Sequence, residues 1–197
     1  MDEITLITRA RQGDQEAFLA LLDLHQRAVY NLCYRMLGQA EDAEDAAQET
    51  FLRAYQHLSR YDPRRPFLTW LLSIAAHHCI DRLRRQRPGL SLDETDEDQT
   101  LPMVADPSQP DPQLHAERHE QNILVQRLLL QLSPLDRAVI ILRYWYEFSE
   151  AEIGQHLGLT VSAVKSRLHR ARRQLAVLWS QQESASLPRS AYESPAF

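Results

Sequence analysis

The chain has 197 residues, room for one medium or two small domains, with 44% hydrophobic residues, 25% charged residues and a formal net charge of -5. No apolar run approaches the roughly 20 residues of a membrane span, and the opening "MDEITLITRARQGDQE" lacks the apolar core of a secretory signal. A cytoplasmic protein without membrane insertion is expected. With only 5 glycines and almost no alternating apolar–polar runs, the expected class is all-α.

Residues 1–88 read as consecutive helices. Phe18, Leu21, Leu22 and Leu24 begin an apolar stripe that continues through Val29, Leu32, Cys33, Met36 and Leu37, and Gly38 suits a helix C-terminus. Cys33 and Cys79 both lie in apolar helical contexts, as buried free thiols do. Next, "EDAEDAAQETFLRAYQHL" opens with Glu41, Asp42, Glu44 and Asp45. First-turn acids complement the helix dipole, but carboxylates as far as Glu49 exceed what capping requires. That face is either solvated or docks a basic partner.

After Leu58, "SRYDPRRPFLTWL" carries Pro63 and Pro66 and so reads as a loop leading into another helix. The helix holds Leu68, Leu71, Leu72, Ile74, Ala75 and Ile80 and ends among Arg82, Arg84, Arg85 and Arg87. Tyr61, Phe67 and Trp70 lie just before or at its start. Aromatics there can stack unpaired bases while guanidiniums hold phosphates. The alternative is that Trp70 is core and the arginines neutralise the helix end.

Residues 89–120 break both the period and the composition. Residues 91–120 hold nine acids against the single base Arg118, and Pro88, Pro102, Pro107, Pro110 and Pro112 interrupt any helix. An acidic, flexible linker is expected. The unit that follows, 121–182, is basic, with eight bases and four acids, so the acidic total hides a basic C-terminal domain. Residues 183–197 read as a disordered tail.

In that unit Ser133 caps a helix, Pro134 takes its first turn and Asp136 faces the orphan amides. Ser149 and Glu152 form a capping box, flanked by the staple pair Phe148 and Ile153. That short helix stops at Gly158, and Thr160 caps a longer one, "VSAVKSRLHRARRQL". A short helix, a tight turn and a longer basic helix make a helix-turn-helix, with Gly154 where close packing needs a small residue. Val161, Val164, Leu168, Ala171 and Leu175 form the buried stripe. Opposite it stand Ser162, Ser166, His169, Arg170 and Arg173, with Lys165 and Arg172 on one flank and Arg167 on the other. The arrangement suits a major groove, central side chains on base edges and flanking ones on phosphates.

The stretches "VYNLCYRMLGQAEDAEDAAQETFLRAYQHL", "FLTWLLSIAAHHCIDRLRR" and "LSPLDRAVIILRYWYEFSEAEIGQHLGLTVSAVKSRLHRARRQL" resemble bacterial RNA polymerase sigma factors of the extracytoplasmic-function (ECF) type. The resemblance implies two helical domains joined by a linker, and a factor that directs core RNA polymerase to promoters and melts them. It places Asp42, Asp45, Gln48, Glu49 and Phe51 against the coiled coil of the largest polymerase subunit. It places Tyr61, Arg64, Arg65, Phe67 and Trp70, with Arg82, Arg84 and Arg85, on the melted non-template strand of the minus-ten element. His77 stands there where relatives commonly carry asparagine. Ser162, Lys165, Ser166, His169, Arg170 and Arg173 would read the minus-thirty-five duplex. The linker would thread the active-site cleft and RNA exit path as an acidic imitation of nucleic acid. An anti-sigma factor is a further implied partner.

Two other readings compete: a self-standing helix-turn-helix regulator that binds duplex DNA without polymerase, and an adaptor whose acidic helix binds protein. Neither explains an aromatic–arginine loop ahead of the N-terminal arginine run. Enzymatic chemistry finds no support, since there is no glycine-rich phosphate loop and no nucleophile beside a base. "HAERH" (His115–His119) misplaces its glutamate for a zinc-protease helix. "HHC" (His77–Cys79) puts its side chains on different faces. No cofactor, metal or catalytic residue is expected.

Overall fold

The computed structural model describes residues 2–86 and 112–186, and among these every regular element is helical. The N-terminal unit comprises α1 (Glu3–Arg11), α2 (Gln15–Leu37), α3 (Ala40–His57), a 3-10 turn (Leu58–Arg60) and α4 (Phe67–Arg85). The C-terminal unit comprises α5 (Pro112–Leu130), α6 (Pro134–Tyr144), α7 (Glu150–Leu157) and α8 (Val161–Ser186). Helix α5 therefore begins within the stretch expected to be linker, and α8 runs four residues past the expected start of the tail. The linker's acidic centre and the rest of the tail lie outside the described residues.

Local chemistry sets the boundaries. Asp14 caps α2 by accepting from the Ala17 amide at 3.1 Å, and Gly38, at φ 87°, ends it in the left-handed region where glycine carries no Cβ penalty. α2 then packs on α1, α3 and α4. Its Leu21, Val29, Leu32, Cys33 and Met36 are all at most 1% exposed, whereas Leu24, expected in the stripe, is 60% exposed. The helical period carries Leu24 off the core face, and the next buried position is His25. α3 buries a stripe of small residues, Ala43, Ala46, Ala47, Thr50 and Ala54, so it can lie close to α2 and α4. Cys33 and Cys79 are free and buried, and the Cys79 thiol is raised well above its ordinary pKa by its hydrogen bond with Cys33 and by burial. They act as small core hydrophobes.

One hydrophobic core runs through both units. α6 packs on α2 and α4, α7 on α4, and α5 on α2. The seam carries directional contacts as well. Buried Arg137 donates to the Leu129, Leu130 and Leu132 carbonyls at 2.8, 2.6 and 3.2 Å, and across the seam to Met36. The Gln126 amide donates to the Tyr34 and Arg35 carbonyls at 3.0 and 3.4 Å. Tyr146 donates to the Ala28 carbonyl at 2.6 Å. These acceptors include last-turn carbonyls of α2, of which Tyr34 also accepts from the Gly38 amide at 2.8 Å, and a cation complements that negative helix end.

Candidate functional site

The acidic helix. α3 presents Asp45 and Gln48 to solvent, with Asp42 and Glu49 half-buried. Glu49 accepts from Arg53 at 2.6 Å, and this bond holds its carboxyl below the usual range. Asp42 is ion-paired with Arg82 of α4, which also lies 3.9 Å from Asp45. Two sets of residues expected on separate surfaces are thus tied across α3 and α4. Phe51 is only 7% exposed. It is a wall rather than a protruding anchor, lining with Phe18, Leu22, Tyr30, Leu52 and Tyr55 a groove of about 870 Å³ between α2 and α3. Glu44 and Gln48 stand in its rim.

The aromatic–arginine loop. Tyr61 and Phe67 are 4% and 2% exposed and meet edge-to-face at 5.2 Å; Trp70 is half-buried against both. The cluster faces inward, because Phe67 and Leu71 belong to the buried stripe of α4. The expectation that Tyr61 and Phe67 offer free stacking faces is corrected: they hold the loop's shape. The Tyr61 hydroxyl donates to the Arg65 carbonyl, closing the turn, and burial raises its pKa. Arg64 grips Asp62 at 2.9–3.2 Å yet stays 88% exposed at its side chain. The loop and α1 enclose a cleft of about 630 Å³ that includes Thr8, Arg11, Gln12, Arg64 and Arg65. On α4, Arg84 and Arg85 are exposed. His77 is also exposed, its Nδ1 2.8 Å from the Ser73 carbonyl oxygen, while His78 is half-buried and Cys79 buried. The three therefore form no ligand set, and no cluster able to hold a metal occurs among the described residues.

The helix-turn-helix. The capping box is complete: Ser149 accepts from the Glu152 amide, and Glu152 accepts from the Ser149 amide at 2.8 Å. Phe148 and Ile153 are both buried. Gly158, at φ 66°, ends α7, and Thr160 caps α8 through the Ala163 amide at 3.1 Å. A Cβ on Gly154 would stand 2.7 Å from the Leu159 carbonyl oxygen, so the turn itself demands the small residue. Val164, Leu168 and Ala171 are buried and Leu175 is half-buried, but Val161, expected in the stripe, is 43% exposed. Ser162, Lys165, Ser166, His169 and Arg173 are exposed together. Arg170 is exposed too, but it donates to Asp136 at 3.0 Å, as Arg167 does at 2.8 Å. Asp136 was expected to face orphan amides; instead the Ser133 hydroxyl accepts from the Asp136 amide, and the carboxylate turns to α8. Burial would raise the Asp136 pKa, but the hydrogen bonds from Arg170, Arg167 and Ser133 prevail and lower it.

Two families match this chain: sigma-70 region 2 over residues 15–88 and sigma-70 region 4 over residues 123–175. The ECF RNA polymerase sigma factor SigW of Bacillus subtilis is 40% identical over 174 residues, covering 86% of this chain and 92% of that protein. The chain belongs to the ECF RNA polymerase sigma factors. It is a promoter-directing transcription initiation factor. Among solved structures, CnrH in complex with the cytosolic domain of CnrY is 28% identical at a TM-score of 0.65, covering 91% of this sigma factor and 99% of that chain. The sigma factor RpoE in complex with the anti-sigma factor NepR from Bartonella quintana shares the fold at a TM-score of 0.62 and 22% identity, covering 83% and 96%.

Sequence reasoning missed the apolar side of this sigma factor's groove. Leu19, Leu52 and Tyr55 are 58%, 52% and 41% exposed and, with Phe51 sunk into the wall, supply the accessible apolar surface. The signal was present in the sequence: Leu52 and Tyr55 follow Gln48 at helical spacing on α3.

Proposed function

We propose that this sigma factor docks on the largest-subunit coiled coil of core RNA polymerase through α3, with Asp45, Gln48 and Glu49 as polar contacts and the α2–α3 groove taking apolar side chains. The observation that carries this reading is the groove itself: apolar walls rimmed and flanked by carboxylates suit a basic amphipathic helix. The exposed face of α8 reads the minus-thirty-five duplex, Ser162, Ser166 and His169 toward base edges and Lys165, Arg170 and Arg173 toward phosphates. The loop cleft with Arg64 and Arg65, together with His77, Arg84 and Arg85 farther along α4, holds the melted minus-ten strand. Each unstacked base loses a few kcal/mol of stacking, which contacts in such a cleft offset, so opening the duplex needs no covalent step and no enzymatic activity. The protein works in the cytoplasm, in keeping with the absence among described residues of any helix long and apolar enough to cross a membrane. An anti-sigma factor is its regulator.

The test is binding of the purified chain to core polymerase, with and without Asp45→Arg together with Glu49→Arg. Tight binding weakened at least about a hundredfold by the double reversal is expected. No binding to core, with tight binding to duplex DNA alone, would leave a self-standing helix-turn-helix regulator.

A further inference from the structure

One exposed side chain on α4 has its hydrogen-bonding chemistry fixed by the backbone beneath it. The Nδ1 atom of His77 lies 2.8 Å from the Ser73 carbonyl oxygen, one helical turn back. A carbonyl oxygen only accepts, so Nδ1 carries the proton and donates it. In the neutral ring the other nitrogen, Nε2, is then an acceptor alone. It has no partner among the described residues, and the side chain is exposed. The bond also ties the ring to its own helix, so less rotamer freedom is lost when Nε2 meets a ligand. His169, exposed on α8, makes no such bond among the described residues, so neither of its tautomers is selected.

The placement suits a nucleobase. Trp70, His77 and Arg84 recur every seven residues and so lie along one stripe of α4. Trp70 packs on Tyr61 and Phe67 at one end of that stripe, and exposed Arg84 stands at the other. Arg65 of the loop and His77 are both close enough to His156 of α7 for their charges to act on it, so the two lie on one side of the molecule. From Phe67, which lines the cleft, His77 is about 15 Å away along the helix. At about 3.4 Å per base on one strand, that is no more than about four or five base steps.

Base edges divide by what they offer an acceptor. On the major-groove edge adenine presents its N6 amine and cytosine its N4 amine, whereas thymine presents O4 and guanine presents O6 and N7, all acceptors. Nε2 of His77 can bond an amine of the first pair, but to the second it opposes one lone pair to another. An asparagine amide carries both a donor and an acceptor and makes no such division. We infer that His77 is a specificity-determining residue that selects an amine-bearing base, adenine or cytosine, over thymine or guanine at one position of the minus-ten element. The inference rests on the minus-ten surface proposed above.

The test is selection of promoter duplexes from a randomised library by the chain bound to core polymerase, followed by sequencing. At one minus-ten position the wild type should take adenine or cytosine over thymine or guanine by roughly three- to tenfold, the worth of one hydrogen bond. His77→Phe keeps a ring but offers no acceptor, so it should lose that preference and leave the other positions as they are. His77→Asn should admit both classes of base. On a single selected promoter, replacing the preferred adenine by purine, or the cytosine by 2-pyrimidinone, removes only the amine. Wild-type affinity should then fall by the same factor, and that of His77→Phe should not. A preference for thymine or guanine at the position His77 controls overturns the inference, as does unchanged wild-type affinity for the amine-less base. So does a His77→Phe variant that alters no position while Arg84→Ala weakens promoter binding. If neither variant alters binding or selection, the minus-ten reading beneath the inference fails, and the inference with it.

Discussion

The two units handle their functional charges in opposite ways. In the N-terminal unit most are already engaged: Asp42 with Arg82, Glu49 with Arg53, and Arg64 with Asp62. In the C-terminal unit the exposed face of α8 is nearly bare, with Arg170 and the flanking Arg167 tied to the same Asp136. A helix that enters a groove as a rigid body needs its side chains free to choose phosphates and base edges. A loop that must hold a distorted strand gains from internal bonds that keep its shape without DNA. The contrast teaches that charge alone does not mark the contact surface; the partner each charge already has matters as much.

Substitutions can break or sharpen that comparison. The largest expected effect is from Gly154→Val. Its Cβ would stand 2.7 Å from a backbone oxygen, and the turn must move, costing about 2–3 kcal/mol. Thermal melting of the full chain should fall, duplex binding should be lost, and binding to core through α3 should persist. Next come Arg170→Ala and Arg173→Ala, which separate a tied cation from a free one. Arg173→Ala should weaken duplex binding several-fold and lower the salt slope by about one phosphate contact, with melting unchanged. Arg170→Ala should do the same and also lower the melting temperature, because Asp136 loses a partner. Equal melting for the two variants would show that the Asp136 bond contributes nothing.

The smallest effect is one of pH. His156 has a lowered pKa, first through burial and then through the charge of Arg65, with Glu152 opposing and His77 adding to the lowering. A histidine whose folded pKa lies below its unfolded value favours folding while neutral. Stability is therefore full above about 6.5 and declines as pH falls toward the lowered value. Denaturant midpoints at pH 7.5 and 5.5 should differ less in His156→Gln than in the wild type.

Sequence alone settled whatever depends on near neighbours in the chain. The Asp-rich start of α3, the Ser149–Glu152 box, the Thr160 cap and the glycine ends at Gly38 and Gly158 are all i to i+3 or i+4 chemistry, legible from spacing. The same periodicity predicted which residues of α8 are exposed together and where the helix-turn-helix lies. The tertiary structure decided what depends on residues distant in sequence. It turned Tyr61 and Phe67 inward, made Phe51 a wall and Leu52 an exposed anchor, paired Asp42 with Arg82 across 40 positions, and drew Asp136 away from its own helix to α8. It also brought Arg137 to the end of α2, 101 residues away. Burial and ion pairing are properties of packed surfaces. Helical period predicts which residues share a face, but only packing determines what that face meets.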